Sequence, residues 1–135
     1  MGKRRRSREI ILKLLYQKEL NEQNPEDMLE QFWHEREENE EVKIFVASIF
    51  CGVNESKDEL DTWIMKYSKN WDLNRLSIID KCILRLSVYE LLHRKDIPPK
   101  VSINEAIDIS KKYSNADAGK FINGILDKVS KECSK

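Results

Sequence analysis

Glycine and proline are scarce in this chain, with 4 and 3 among 135 residues. An all-β sandwich needs a turn about every 8–12 residues, so a β architecture has too little turn chemistry to build on. Cysteine is equally sparse. Cys51, Cys82 and Cys133 are odd in number and widely spaced, which matches neither a disulfide framework nor a CxxC metal or redox motif. They are expected to be two packing residues and one tail thiol. Long apolar runs are missing too. Ile10 to Leu12 and Leu14 to Tyr16 are separated by Lys13 and fall far short of the roughly 20 residues that cross a bilayer. The basic N-terminus leads into an amphipathic pattern rather than an uninterrupted apolar stretch with a cleavage site, so no signal peptide is expected. A cytoplasmic protein follows. There is no GxxxxGK or GxGxxG phosphate loop, and His34 and His93 lack metal-ligand spacing. No cofactor, metal or catalytic site is expected.

What the chain does have is charge and apolar residues in regular alternation. Charged residues make up 36% and hydrophobic ones 40% of the sequence, too apolar for disorder and of a length that encloses one core. Residues 1–135 are therefore read as a single domain. Acids and bases balance at 24 each, but they are segregated along the chain. Lys3, Arg4, Arg5, Arg6 and Arg8 cluster at the start, while Glu35, Glu37, Glu38, Glu40 and Glu41 crowd a central stretch. Segregation of this kind predicts two poles of opposite sign.

Helical periodicity recurs throughout. Leu12, Leu15, Tyr16 and Leu20, widened by Ile11 and Leu14, give a core-facing stripe from Ser7 to Leu20. Asn24, Pro25, Glu26 and Asp27 read as a cap, a first-turn proline and early acids, opening a second helix that buries Met28, Leu29, Phe32 and Trp33. Val42, Phe45, Val46, Ile49 and Val53 mark a third, expected to end near Gly52 and Asn54. Ser56 with Glu59 has capping-box spacing for a fourth, in which Leu60, Trp63, Ile64 and Tyr67 face inward. Ser68 to Asn74 reads as a turn pinned by Trp71. Arg75 to His93 is apolar nearly all round, as expected of a central helix. Pro98 and Pro99 close it, Ser102 with Glu105 suggests a second capping box, and a last helix from about Ala116 buries Phe121, Ile122, Ile125, Leu126 and Val129. Gly124 lies inside that helix, where it is expected to permit a close helix contact. The fold class is all-α: about seven helices in two roughly perpendicular bundles sharing the central helix.

The basic segment from Lys3 to Arg8 is the strongest functional signal. As an N-terminal arm it fits a solvated terminus and a phosphate-binding segment equally well on charge alone, and both readings stand at this point. Tyr16, Tyr113 and Phe121 are aromatic candidates for stacking on unpaired bases, though core packing suits each of them. Asp80 and Lys81 interrupt the apolar central helix and so call for solvent or a partner. Glu90 and Arg94 have the spacing of a helix-surface ion pair. His34 reads as a surface residue and His93 as a cation suited to a helix C-terminus.

Three segments in order carry a resemblance. They are Arg5-Arg6-Ser7-Arg8 leading to Leu15-Tyr16-Gln17, Asn70-Trp71 to Glu90 with Ile83-Leu84-Arg85-Leu86 and Tyr89-Glu90-Leu91, and Ile103-Asn104-Glu105-Ala106 to Phe121-Ile122-Asn123-Gly124-Ile125-Leu126-Asp127. Together they resemble the bacterial transcription antitermination factor family NusB, over nearly the whole chain. The resemblance implies binding of single-stranded boxA RNA with the small-subunit ribosomal protein that doubles as NusE, within an RNA polymerase antitermination complex serving ribosomal RNA operons. By the same resemblance Lys3, Arg4, Arg5, Arg6 and Arg8 would contact RNA, completed by Tyr113, Asp117, Lys120 and Phe121. Asp80, with Lys81 and Tyr16, would face the ribosomal-protein partner. A second copy of the chain is an alternative partner for the free protein. Ser7 stands where the family's arginine motif more often has alanine, and Ala118-Gly119 where serine is common.

Overall fold

The computed structural model describes residues 2–68 and 76–133. Seven helices follow in order: α1 (Lys3–Leu20), α2 (Pro25–His34), α3 (Glu40–Glu55), α4 (Lys57–Tyr67), α5 (Ile78–His93), α6 (Pro99–Tyr113) and α7 (Ala116–Cys133), with no strand among the described residues. The expected turn at Trp71 and a helix start at Arg75 lie outside the described residues.

Short polar side chains start most of these helices by satisfying backbone N–H groups that have no intrahelical acceptor. Asn24 Oδ1 accepts from the amides of Glu26 and Asp27, Asn39 Oδ1 from Glu41, Ser77 Oγ from Asp80, and Asn115 Oδ1 from Ala118. Two expected caps take other roles. Ser56 precedes α4 without a side-chain cap bond. Helix α6 begins at Pro99, ahead of Ser102, because a proline at the first helical position is preorganised and loses no needed donor. Ser102 and Glu105 thus fall inside the helix, where both bind other elements.

Helix α5 packs against α1, α3, α4, α6 and α7, while α2 lies on α3. It is therefore the shared element between an N-terminal group built on α1 and α3 and a C-terminal group built on α4, α6 and α7. Every residue from Cys82 to Val88 is buried, including Arg85, as the all-round apolar pattern predicts. Arg85 holds Asp61 of α4 through Nε and Nη2 at 2.7 and 3.0 Å and also reaches Glu19 of α1. Burial pushes the Cys82 thiol up to about 12, an inert packing sulfur.

Helix α1 departs from a simple stripe. Ser7 through Leu12 are all buried, but Tyr16 is 37% and Leu20 56% exposed. The helix enters the core along its first half and emerges at its C-terminal end, so Leu20 is not a core residue. Helix α3 ends at Glu55, one residue past Asn54, so Gly52 lies inside it and serves packing. A Cβ there would collide with the ring of Tyr89 on α5. Gly124 is the converse, with open space around it, so no close helix contact requires it.

Candidate nucleic-acid interface

The basic N-terminal segment is not an arm. Helix α1 begins at Lys3, which makes the arginine run its first two turns and sends consecutive side chains to different neighbours. Arg8 points inward, 3% exposed, and its Nε and Nη2 donate to Glu90 of α5 at 2.8 and 2.9 Å. Glu90 also accepts from Ser102 Oγ of α6 at 2.7 Å. Buried charges persist only when paired and hydrogen-bonded, and this arrangement meets that condition by joining three helices. Arg8 therefore has no surface to offer a ligand. The expected pair between Glu90 and Arg94 is replaced by Arg8–Glu90 and Arg94–Asp96. Ser7, 1% exposed, donates to the Lys3 carbonyl at 2.7 Å, so a small residue is required there.

The remaining cations stay at the surface. Arg5 Nε donates to Glu105 at 2.8 Å and its Nη2 to Asp108 at 2.9 Å, fastening α1 to α6. Its hydrogen bonds hold the Glu105 carboxylate below the usual range, aided by its charge and that of Arg8 and opposed by burial. Arg6 Nε donates to Glu38 at 2.8 Å, and Lys3 lies 3.4 Å from Glu41. Glu38, just before α3, and Glu41, in its first turn, thus sit against the basic turn. The two poles expected from the sequence are therefore not fully separate, because Glu38 and Glu41 lie against Arg6 and Lys3 although they are far away in the chain. Arg4 takes a different contact, with its guanidinium 4.2 Å from the centroid of the Phe45 ring.

On the α6 side, Glu9 connects the basic turn to the second set of candidates. Tyr113 Oη donates to Glu9 at 2.8 Å, and Lys112 Nζ donates to both its oxygens at 3.0 and 3.2 Å. Burial raises the Glu9 carboxyl, but these hydrogen bonds and the Lys112 and Arg5 charges more than offset it, leaving Glu9 below its ordinary value. Arg5 and Tyr113 consequently share one face. Beyond the α6–α7 turn, Asp117 and Lys120 are exposed and Phe121 is half-buried.

Asp117 and Phe121 open onto a groove of about 230 Å³ that also includes Ser77, Asp80 and Asn115. The residues assigned by resemblance to RNA and to the protein partner therefore meet at one site. Oδ1 of Asp80 is buried and finds no hydrogen-bond donor among the described residues, leaving an acceptor for an incoming N–H or O–H group. Lys81 is half-buried beside the groove, and Tyr16, on α1, does not line it. His34 is exposed on α2, and His93 sits 2.8 Å from Glu59.

A profile of the NusB family matches residues 5–131. The chain belongs to the NusB family. It is 46% identical over 136 aligned positions to the transcription antitermination protein NusB of Methylacidiphilum infernorum, covering 100% of this chain and 95% of that protein. To its Myxococcus xanthus counterpart it is 41% identical, covering 100% and 99%. Among solved structures, NusB of T. maritima superposes with a TM-score of 0.90 at 39% identity, covering 100% of this chain and 94% of the other. A crystal structure of the antitermination factors NusB and NusE in complex with dsRNA superposes at 0.87 with 27% identity and 98% coverage of each chain. The NusB match takes in all seven helices, both the buried Arg8–Glu90 pair and the surface from Arg5 to Phe121.

Sequence reasoning missed Glu38 and Glu9 as partners of the candidate residues, and Phe45 and Arg94 as their neighbours. Phe45 reads as core from its periodicity, and it is 5% exposed. Only the fold reveals that arginine side chains cover it.

Proposed function

We propose that this NusB-family chain acts as a transcription antitermination factor. It binds single-stranded boxA RNA together with the ribosomal protein that serves as NusE, and supports processive transcription of ribosomal RNA operons within the polymerase complex. Its role is binding rather than catalysis, in the cytoplasm, with residues 1–135 working as one domain. The observation that carries this reading is the join between Arg5, Glu9 and Tyr113, which lays two separately identified sets of residues along one surface.

On that surface Lys3, Arg4, Arg5 and Arg6 supply charge for phosphates, while Tyr113 and Phe121 offer aromatic faces to unpaired bases. Lys120, exposed and without a carboxylate partner among the described residues, adds a further cation. Asp117 contributes acceptors suited to base N–H groups. Arg8 acts one step back, holding α1 so that its neighbours are presented. Asp80, with its unpaired oxygen, and Lys81 receive the ribosomal protein along the same groove, with Tyr16 as a more distant contact on α1.

RNA binding measured across a salt series tests the reading. Replacing Arg4, Arg5 and Arg6 together should flatten the log-log salt dependence by about 0.7 for each single-strand phosphate that is no longer neutralised. An unchanged slope would show that the basic turn takes no part.

A further inference from the structure

On the opposite side of α1 from Tyr113 lies a second groove of about 390 Å³, between the first turn of α1, helix α3 and the C-terminal end of α5. We infer that this groove, formed by Lys3, Arg4, Ile44, Phe45, Ser48 and Arg94, is a further nucleotide subsite. In it the bound single-stranded RNA continues past the end of α1. The inference rests on the RNA-binding reading above and extends it to Ile44, Phe45, Ser48 and Arg94, which that reading does not use.

Three observations support it. The lining carries three cations, Lys3, Arg4 and Arg94, against one carboxylate, Glu41. Arg4 stands apart from the other arginines of its turn, since Arg5, Arg6 and Arg8 are each committed to carboxylates while Arg4 has no ion pair among the described residues. Its guanidinium is held over Phe45 at 4.2 Å, and that of Arg94 lies 5.1 Å from the same ring. An arginine fixed on an aromatic ring keeps its N–H donors at its edge for phosphate and its outer face for stacking on a base. Finally, Ile44 is 63% exposed and Ser48 is exposed beside it. They give a nucleotide an apolar rest and a hydroxyl next to the cations.

The occupant is RNA because the groove and the main surface share one helical turn. Arg4 faces this groove and Arg5 faces α6, so a strand crossing the N-terminal end of α1 meets both. Arg94 keeps Nε and Nη2 on Asp96 at 2.9 and 2.8 Å, which leaves Nη1 for a phosphate.

The test uses the full chain loaded with its ribosomal partner and two sets of labelled RNA, a boxA core and the same core extended at its 5′ end, its 3′ end or both. One extension should tighten binding about fivefold and steepen the salt dependence by about 0.7 for each further phosphate neutralised. Ser48→Glu and Arg94→Gln should each abolish that gain and leave core binding unchanged. The subsite is overturned if no extension helps, if the gain survives both variants, or if the variants weaken core and extended RNA equally. Failure of the wild-type chain to bind even the core overturns the RNA-binding reading as well, and so separates the two failures.

Discussion

Arg8 and Glu90 form a buried two-point ion pair between α1 and α5, exposed by only 3% and 1%. An arginine from the most basic stretch of the sequence is thereby part of the core. Removing one partner strands the other charge, so Arg8→Met or Glu90→Gln should destabilise the fold by about 3–5 kcal/mol, measured by urea denaturation. The double variant Arg8→Met with Glu90→Leu should recover most of that loss, since an apolar pair of similar volume is tolerated. RNA affinity of the refolded double variant should match wild type. A large specific loss would mean Arg8 contacts RNA directly.

Glu38 accepts from Arg6 Nε at 2.8 Å, so on the proposed reading it would compete with RNA for that guanidinium. Glu38→Gln should therefore strengthen RNA binding about two- to fivefold, a modest effect because the pair lies at the surface. Anisotropy titration at fixed salt reads it, and weaker binding would contradict it.

Glu105 is held below its ordinary value of 4.5, first by its hydrogen bond from Arg5. A carboxylate with a depressed folded value contributes stability that is fully present above the unfolded value and is lost as pH falls through the folded one. The stability difference between wild type and Glu105→Gln should stay constant from neutral pH down to about pH 5, then close as the medium becomes more acidic. Denaturation midpoints across that range check it. A difference that widened on acidification would have the wrong sign.

The glycines divide by their surroundings. Gly52→Ala drives a methyl group into the Tyr89 ring and should cost about 1–3 kcal/mol. Gly124→Ala meets open space in the last helix and should gain about 0.5–1 kcal/mol through helix propensity. Thermal denaturation of the two variants should move in opposite directions.

The all-α class, the central helix and most core positions were legible because apolar spacing is local information. Asn24 and Pro25 announce α2 in the sequence and perform that role in the structure. What could not be read depends on partners distant in the chain. Gly2 precedes α1 without any side-chain cap, so nothing local signals that the basic run is helical. The run's carboxylates come from Glu38, Glu41, Glu90, Glu105 and Asp108, between 32 and 103 positions away. Glu90 with Arg94 has ideal helical spacing, yet a buried carboxylate gains more from a desolvated, two-point arginine than from a surface neighbour. For the candidate site, resemblance named its residues. Packing then removed Arg8 from the contact surface and set Asp80 beside Asp117 and Phe121.

One surface, from the first turn of α1 to the start of α7, is proposed to bind boxA RNA with a ribosomal protein beside it. The most direct measurement is a titration of labelled single-stranded boxA RNA and a scrambled control, each with the ribosomal partner present and absent. Preference for boxA, tighter binding when the partner is present, and loss of both effects in Asp80→Lys and Phe121→Ala are expected. Equal binding of boxA and scrambled RNA with the partner present would contradict the proposal.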